Sequence, residues 1–407
     1  MTPRFSLVYP TRHRPAFIRQ ALRFLEKQEY RDFEVIVSDN YQDAALSCEA
    51  ECRSTSLNNL TYVHPPRSLN MVENWNFALD HASGDTICYF TDKMFLLPQT
   101  LTRANDCIER THAEILTWID NSYTPKKFPE YFGEGLYETA VSSNDGQGEY
   151  CLYDPVEELS KKGNALVSRN EQDKSSYARG KICFGAYSAD LCRRIVEKTN
   201  TLFHKVSPDY TSMILGLSLA TRAAEINQPG IVHVNTDLSN GGQGSVRDEL
   251  MIKFLNELGN AEEIMSNYLV PNLYSSAHNA VTYDYLTLKK KFELGYEFNP
   301  MYWLVYIAED LDDPARKWSS LEVERQQRKL LDEFVNALPQ DERSLYQSRL
   351  LERARAKKKP SFTKLARQQA RSLLPEPLIK FALNLLFMLS PNVGVPRFCS
   401  SIEEILS

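Results

Sequence analysis

Three carboxylates stand just past apolar runs, where the end of a strand or the start of a helix would hold them in the open. Asp39 follows Phe33-Glu-Val-Ile-Val37, Asp92 follows Thr86-Ile-Cys-Tyr-Phe90, and Asp209 closes Ser207-Pro208-Asp209 ahead of Met213, Ile214 and Leu217. An ionised carboxylate offers acceptors only, so Asp39 suits an N–H or hydroxyl group. Thr11, Arg14 and the backbone N–H groups near them suit polar and anionic atoms. The plainer reading is turn chemistry at Asp39-Asn40 and a solvated charge at Arg14. Lys93, beside Asp92, either brings positive charge to an anionic group or points to solvent. Asp209 either accepts a proton from a hydroxyl group or complements a helix dipole, an effect of roughly 0.3–1 kcal/mol. His233 stands just before Asn240-Gly-Gly-Gln-Gly244, which reads as a lid or a flexible turn and lacks the spacing of a dinucleotide-binding fingerprint.

The elements that must position these groups alternate along the chain. Phe5-Ser-Leu-Val-Tyr9 reads as a strand stopped by Pro10, and Pro15 opens a helix with Phe17, Ala21, Phe24 and Leu25 on one face. Further strands are expected at Phe33 to Val37, Leu60 to Val63, Thr86 to Phe90, Glu114 to Ile119 and near Gly230 to Val234. Helices are expected from Asn70 to Ala82, from Ala189 to Thr199, and from Pro208 with Ser207 as its cap. Strands separated by helices imply a largely parallel sheet, and ligands of open α/β sheets collect beyond the strands' C-terminal ends. Those ends carry Asp39 and Asp92. Residues 120–181 are polar, with clusters such as Ser142-Ser-Asn-Asp-Gly-Gln-Gly148, and read as an insertion with little regular structure. From Asp248 the pattern turns helical and charged, which divides the chain into an α/β domain over 1–247 and a helical C-terminal region over 248–407.

A chain of 407 residues exceeds the size at which one core keeps growing, in keeping with a large domain and a smaller appendage. The net charge of −6 gives no reason to expect nucleic acid as a partner. Eight cysteines are scattered without a Cys-x-x-Cys pair, which argues against a zinc site or a disulfide framework and fits a reducing cytosol. The apolar run near the N-terminus is too short for a signal peptide, and Leu378 to Leu389 falls short of the ~20 residues that span a bilayer. No transmembrane helix is expected.

Tyr9-Pro10-Thr11-Arg12-His13-Arg14-Pro15, Ala21-Leu22, Gln28 and Glu34-Val-Ile-Val-Ser-Asp39-Asn40 are followed in order by Asn74-Trp75-Asn76, Gly84-Asp85 and the strand before Asp92. In this order and spacing the chain resembles family-2 glycosyltransferases of the bacterial polysaccharide type. The resemblance implies a GT-A-type α/β fold, a mixed and mostly parallel sheet flanked by helices. It implies inverting transfer of a sugar from a nucleotide-sugar donor to a glycan or lipid-linked glycan acceptor in surface polysaccharide biosynthesis. It places Pro10, Thr11, Arg14, Asp39, Asn76, Asp92 and Lys93 on the donor and makes Asp209 the base, although Pro208-Asp209-Tyr210 stands where Glu-Asp is commoner. Asp92 takes the first position of the family's Asp-x-Asp motif, which holds a divalent cation, Mn or Mg, against the donor diphosphate. His233 is a second candidate for metal or phosphate. Here the motif reads Asp92-Lys93-Met94, and a thioether in place of a carboxylate weakens a hard-cation site. Met94 also suggests a rival, a noncatalytic protein that binds glycan or nucleotide on the same fold.

Arg353, Arg355, Lys357, Lys358, Lys359, Lys364, Arg367 and Arg371 precede the apolar stretch from Leu378 to Leu389. Such a run over 351–390 suits either an interfacial helix on an anionic membrane or helices packed on protein. With the absence of a leader, it makes the expected location cytoplasmic, peripheral on the cytoplasmic face of the inner membrane.

Overall fold

The computed structural model of the chain describes residues 2–140, 148–166, 177–236, 247–357 and 396–406. Its strands are β1 (Phe5–Thr11), β2 (Phe33–Asp39), β3 (Leu60–Val63), β4 (Thr86–Tyr89), β5 (Met94–Leu96), β6 (Ile115–Pro125), β7 (Gly135–Glu138), β8 (Tyr150–Tyr153), β9 (Gly185–Ser188), β10 (Ala223–Val234) and β11 (Arg397–Cys399). The helices of the α/β part are α1 (Pro15–Glu26), α2 (Glu49–Ser54), α3 (Met71–Leu79), α4 (Thr100–Thr111), α5 (Pro155–Gly163), α6 (Ala189–Thr199) and α7 (Pro208–Leu219). Those that follow are α8 (Asp248–Leu258), α9 (Ala261–Ser266), α10 (Ala277–Phe292), α11 (Pro300–Leu311), α12 (Leu321–Ala337) and α13 (Gln340–Lys357).

Every residue of β1 is buried, as a strand covered on both faces requires. β1 pairs in parallel with β2 and with β4, and its register sets Thr11 opposite Asp39. α1 begins at Pro15 without a side-chain cap and lays Phe17, Ala21, Phe24 and Leu25 into the core. α3 opens on a capping box in which Asn70 and Glu73 each take up a backbone N–H of the other.

The sheet runs β11-β7-β6-β9-β4-β1-β2-β3, with β10 beside β6 and joined to β5 and β8. It is an α/β fold with a mixed sheet and a helical C-terminal region, as the sequence implies, but the parallel share is smaller than expected. β3-β2-β1-β4 and the β6–β10 pair are parallel, while β9 returns antiparallel between β4 and β6. That return needs a residue without a side chain: a Cβ on Gly185 would lie 1.8 Å from the carbonyl oxygen of Leu116.

The expected insertion of little regular structure needs correction. Residues 120–181 contain the end of β6, all of β7 and β8, and α5, which Asp154 caps through Glu157 N–H at 2.8 Å. The strands escape a composition-based reading because their partners are distant in sequence; β8 pairs with β10.

The boundary expected at 247/248 is not a break in packing. Met251, Leu255, Tyr285, Trp303 and Tyr306 belong to the same buried cluster as the sheet. The Trp303 indole N–H donates to Gly163 O at 2.9 Å, and Arg12 pairs with Glu257 at 3.3 Å. The C-terminal region is also not purely helical, since β11 adds to the sheet antiparallel to β7 and Cys399 and Ile402 join the core. A smaller cluster joins Leu304, Val305 and Ile307 of α11 to Leu331 of α12 and Tyr346 of α13.

Arg353 corrects one part of the expected membrane-facing run. Its guanidinium pairs with Glu309 at 2.8 Å and lies over the Tyr306 ring, so it is a packing residue of α13 on α11. Residues 358–390 of that run, and the Gly-rich loop at 240–244, lie outside the described residues. Among the described residues no helix is long and apolar enough to cross a membrane.

Candidate active site

The C-terminal ends of β1, β2 and β4 converge. Asp39, fully buried as the last residue of β2, accepts from Cys48 N–H at 2.6 Å and from the Tyr62 hydroxyl at 3.0 Å, both through Oδ2. Its other oxygen, Oδ1, is shut off from solvent and has no protein partner. A buried carboxylate oxygen left without a donor is costly, and a ligand N–H or O–H is the kind of group that would complete it. Beside it the His64 and Tyr41 rings stack at 4.1 Å, and His64 Nδ1 lies 2.8 Å from Asp39 O. A cavity of about 310 Å³ opens next to these strand ends, bordered by Arg12, Gln42, Arg67 and Asn70. Arg67 is held there by a two-pronged pair with Glu73, at 2.9 and 3.2 Å.

Pro10 and Thr11 close β1, opposite Ser38 and Asp39. Thr11 Oγ1 donates to Asp92 Oδ2 at 3.0 Å, and Arg14 Nη1 donates to Asp92 Oδ1 at 2.8 Å. The structure therefore brings Pro10, Thr11, Arg14, Asp39, Asp92 and Lys93 to one edge of the sheet. Lys93 is half-buried, and that burial pulls its pKa down to about 8 against the attraction of Asp92, with Arg14 adding repulsion. Asn76 stands apart: its amide donates to Phe203 O at 2.9 Å and accepts from Phe203 N–H at 3.2 Å, fastening α3 to the segment before α7.

The residues at the Asp-x-Asp position offer a divalent cation few hard ligands. Such an ion takes several hard oxygen ligands. Both oxygens of Asp92 already accept hydrogen bonds, the next side chain is a cation, and Met94 is buried in β5. His233 lies opposite Met94 on β10. Burial, then the charge of Lys93, press its pKa to about 3, which keeps the imidazole neutral beside a cation rather than beside a carboxylate. Its Nε2 is buried without a protein partner. Among the described residues no group of three or more His, Cys, Asp or Glu is placed to hold a metal.

Asp209 sits in the first turn of α7 with its side chain a third exposed. Ser207 occupies the cap position without making the expected side-chain bond. Lys181 Nζ lies 3.6 Å from Asp209 Oδ2. Cys183, two residues past Lys181, is buried. Burial raises its thiol pKa; Asp209 pushes it further up, while Lys181 and then Lys93 pull it down. Sequence reasoning missed Cys48, Tyr62 and Lys181, because each reaches the site from an element that no local motif joins to it.

Residues 6–134 match the family model described as Glycosyl transferase family 2. A Campylobacter jejuni protein, GalNAc(5)-diNAcBac-PP-undecaprenol beta-1,3-glucosyltransferase, is 29% identical over 154 residues, which cover 35% of this chain and 47% of that protein. The chain thus spans about half the length of the curated relative it matches. Among solved structures, S. aureus TarS 1–349 superposes with a TM-score of 0.45 and 16% identity, over 86% of this chain and 88% of that one. The same protein in complex with UDP-GlcNAc gives 0.43 and 14%, over 86% and 89%.

Proposed function

We propose that this chain, whose residues 6–134 match the glycosyltransferase family 2 model, transfers a sugar from a nucleotide-sugar donor to a glycan or lipid-linked glycan acceptor with inversion at the anomeric carbon. The observation that carries the reading is the unpartnered, buried Oδ1 of Asp39 at the same sheet edge as Arg14 and Lys93. Asp39 accepts an N–H or hydroxyl of the nucleoside, and the cations face the diphosphate. Asp209 takes the proton from the acceptor hydroxyl as its oxygen bonds to the anomeric carbon. The bond from that carbon to the phosphate oxygen breaks, and the nucleoside diphosphate leaves with the electron pair. Lys93 and Arg14 supply positive charge where the departing phosphate gains negative charge, a task that a divalent cation performs elsewhere in the family.

A thermal-shift screen of the whole chain against UDP, GDP, CMP, dTDP and their sugars, each with EDTA or with manganese, tests this. Ligand at 100 times its dissociation constant adds about 2.7 kcal/mol of stability. One nucleotide class should raise the melting temperature equally in EDTA and in manganese. In Asp39→Asn the amide nitrogen can turn toward the nucleoside, so binding should weaken by about tenfold or more, as loss of a hydrogen bond to a charged group implies. A shift that needs manganese would remove the metal-free reading. Nucleotide binding with no transfer to any acceptor would favour the noncatalytic rival.

The acceptor assignment rests on the Campylobacter relative, which is named for an undecaprenol-linked glycan. With the basic sequence from Lys357 to Arg371, it supports action at the cytoplasmic face of an inner membrane. The whole chain should co-sediment with vesicles containing anionic lipid and not with neutral ones. Equal recovery from both would sink the peripheral-membrane idea.

A further inference from the structure

Lys181 is 1% exposed, yet its ammonium makes no hydrogen bond. It is held between two ring faces, 3.8 Å from the centre of Tyr177 and 3.7 Å from that of Tyr210, with the Asp209 carboxylate 3.6 Å away. Burying an ammonium costs several kcal/mol unless charge and ring faces offset it. The segment that carries Lys181 is itself anchored, because Arg179 two residues earlier pairs with the fully buried Glu225 of β10 at 2.6 Å.

A second hold comes from the C-terminal helices. Asp284 of α10 is fully buried, and its carboxyl oxygens accept from the backbone N–H groups of Val206 and Ser207, the latter at 3.0 Å. Those two residues immediately precede Pro208 and Asp209. Asp284 therefore ties down, from a distant helix, the two residues that lead into α7.

We propose that Lys181 and Asp284 are positioning residues that jointly aim Asp209, Lys181 by drawing its carboxylate toward the caged ammonium and Asp284 by fixing the backbone on which it is carried. The proposal rests on the reading of Asp209 as the base. It also gives the C-terminal region a part in the chemistry, since α10 (Ala277–Phe292) fixes the segment that carries the base.

The test compares full-length wild type with Lys181→Met, Lys181→Arg and Asp284→Leu, reading kcat, donor affinity and amide hydrogen exchange over residues 204–213. Lys181→Met and Asp284→Leu should each lower kcat about tenfold or more with donor affinity within about twofold, as misplacing a reacting group does. Lys181→Arg should recover part of the loss, and Asp284→Leu should speed exchange at residues 206–211. If Lys181→Met does not fold, Tyr210→Leu decides by the same split, because it removes one wall of the cage and leaves the ammonium in place. Unchanged kcat in folded Lys181→Met, or in its substitute, overturns the side-chain half of the proposal. Unchanged exchange in Asp284→Leu overturns the backbone half. A wild type that transfers no sugar defeats the functional reading separately, and hydrogen exchange then still decides whether Asp284 fixes the backbone.

Discussion

Asp209→Asn should lower the rate of sugar transfer by about two to four orders of magnitude, the range that a positioned general base contributes. Asparagine keeps the shape of the side chain and removes its ability to accept the acceptor's proton. Nucleotide affinity stays near the wild-type value, because the groups around Asp39 belong to β1, β2 and their loops whereas Asp209 stands on α7. Some stability is lost as well, since Lys181 keeps its buried charge and loses its anionic partner. Measuring transfer and nucleotide binding on the same preparation separates the two effects. Turnover equal to wild type, with nucleotide binding intact, would remove Asp209 from the mechanism.

Lys93→Met should lower kcat by about 10²- to 10³-fold, the usual cost of removing one preorganised charge or donor from a transition state. The pH profile makes the assignment sharper. With its pKa near 8, Lys93 carries its charge below that pH and loses it above. Wild-type kcat/KM, which reports groups of the free enzyme, should therefore fall as pH rises through about 8, and Lys93→Arg, whose guanidinium stays protonated, should flatten the decline. Stability moves the other way. Burial disfavours the ammonium, so the folded pKa lies below the unfolded value of about 10.4, and between the two the unfolded chain binds more protons. The cost of burial is fully present below pH 8 and fades between about 8 and 10.4. Activity that falls over this window while the Lys93 contribution to stability rises cannot be mistaken for unfolding. A wild-type kcat/KM that stays level from pH 7 to about 9.5 would end the case for Lys93.

What could be read from the sequence follows the range of the interactions involved. β1, α1 and β2 were legible because each carries its own signal: an apolar run, Pro15 with a one-sided stripe, and an apolar run ending on Asp39. The resemblance then placed the donor-side residues at one sheet edge, and all but Asn76 gather there. β7, β8 and β11 were missed because their stability depends on partners elsewhere in the chain, and Tyr150-Cys-Leu-Tyr153 has no strong alternation of its own. Lys181 and Asp284 were illegible for the same reason. A buried lysine looks like any other until two tyrosine faces close on it, and a helix-borne aspartate reads as an ordinary surface residue until its backbone partners are seen.

The pairing of β11 with β7 carries a consequence for the order of events at the ribosome. β6, β7 and the strands around β1 emerge early, but the edge of β7 that receives β11 stays open until residues 397–399 have been synthesised. An unpaired strand edge is a template for other chains, and a contact of such long sequence separation forms late. The nascent sheet is thus exposed along β7 until those residues follow. The Phe132 carbonyl that accepts from Ile402 N–H at 3.1 Å, and Arg23, which pairs with Glu403, wait equally long for their partners. The α/β domain is thus early in sequence but completed in structure only when residues 397–403 have been made.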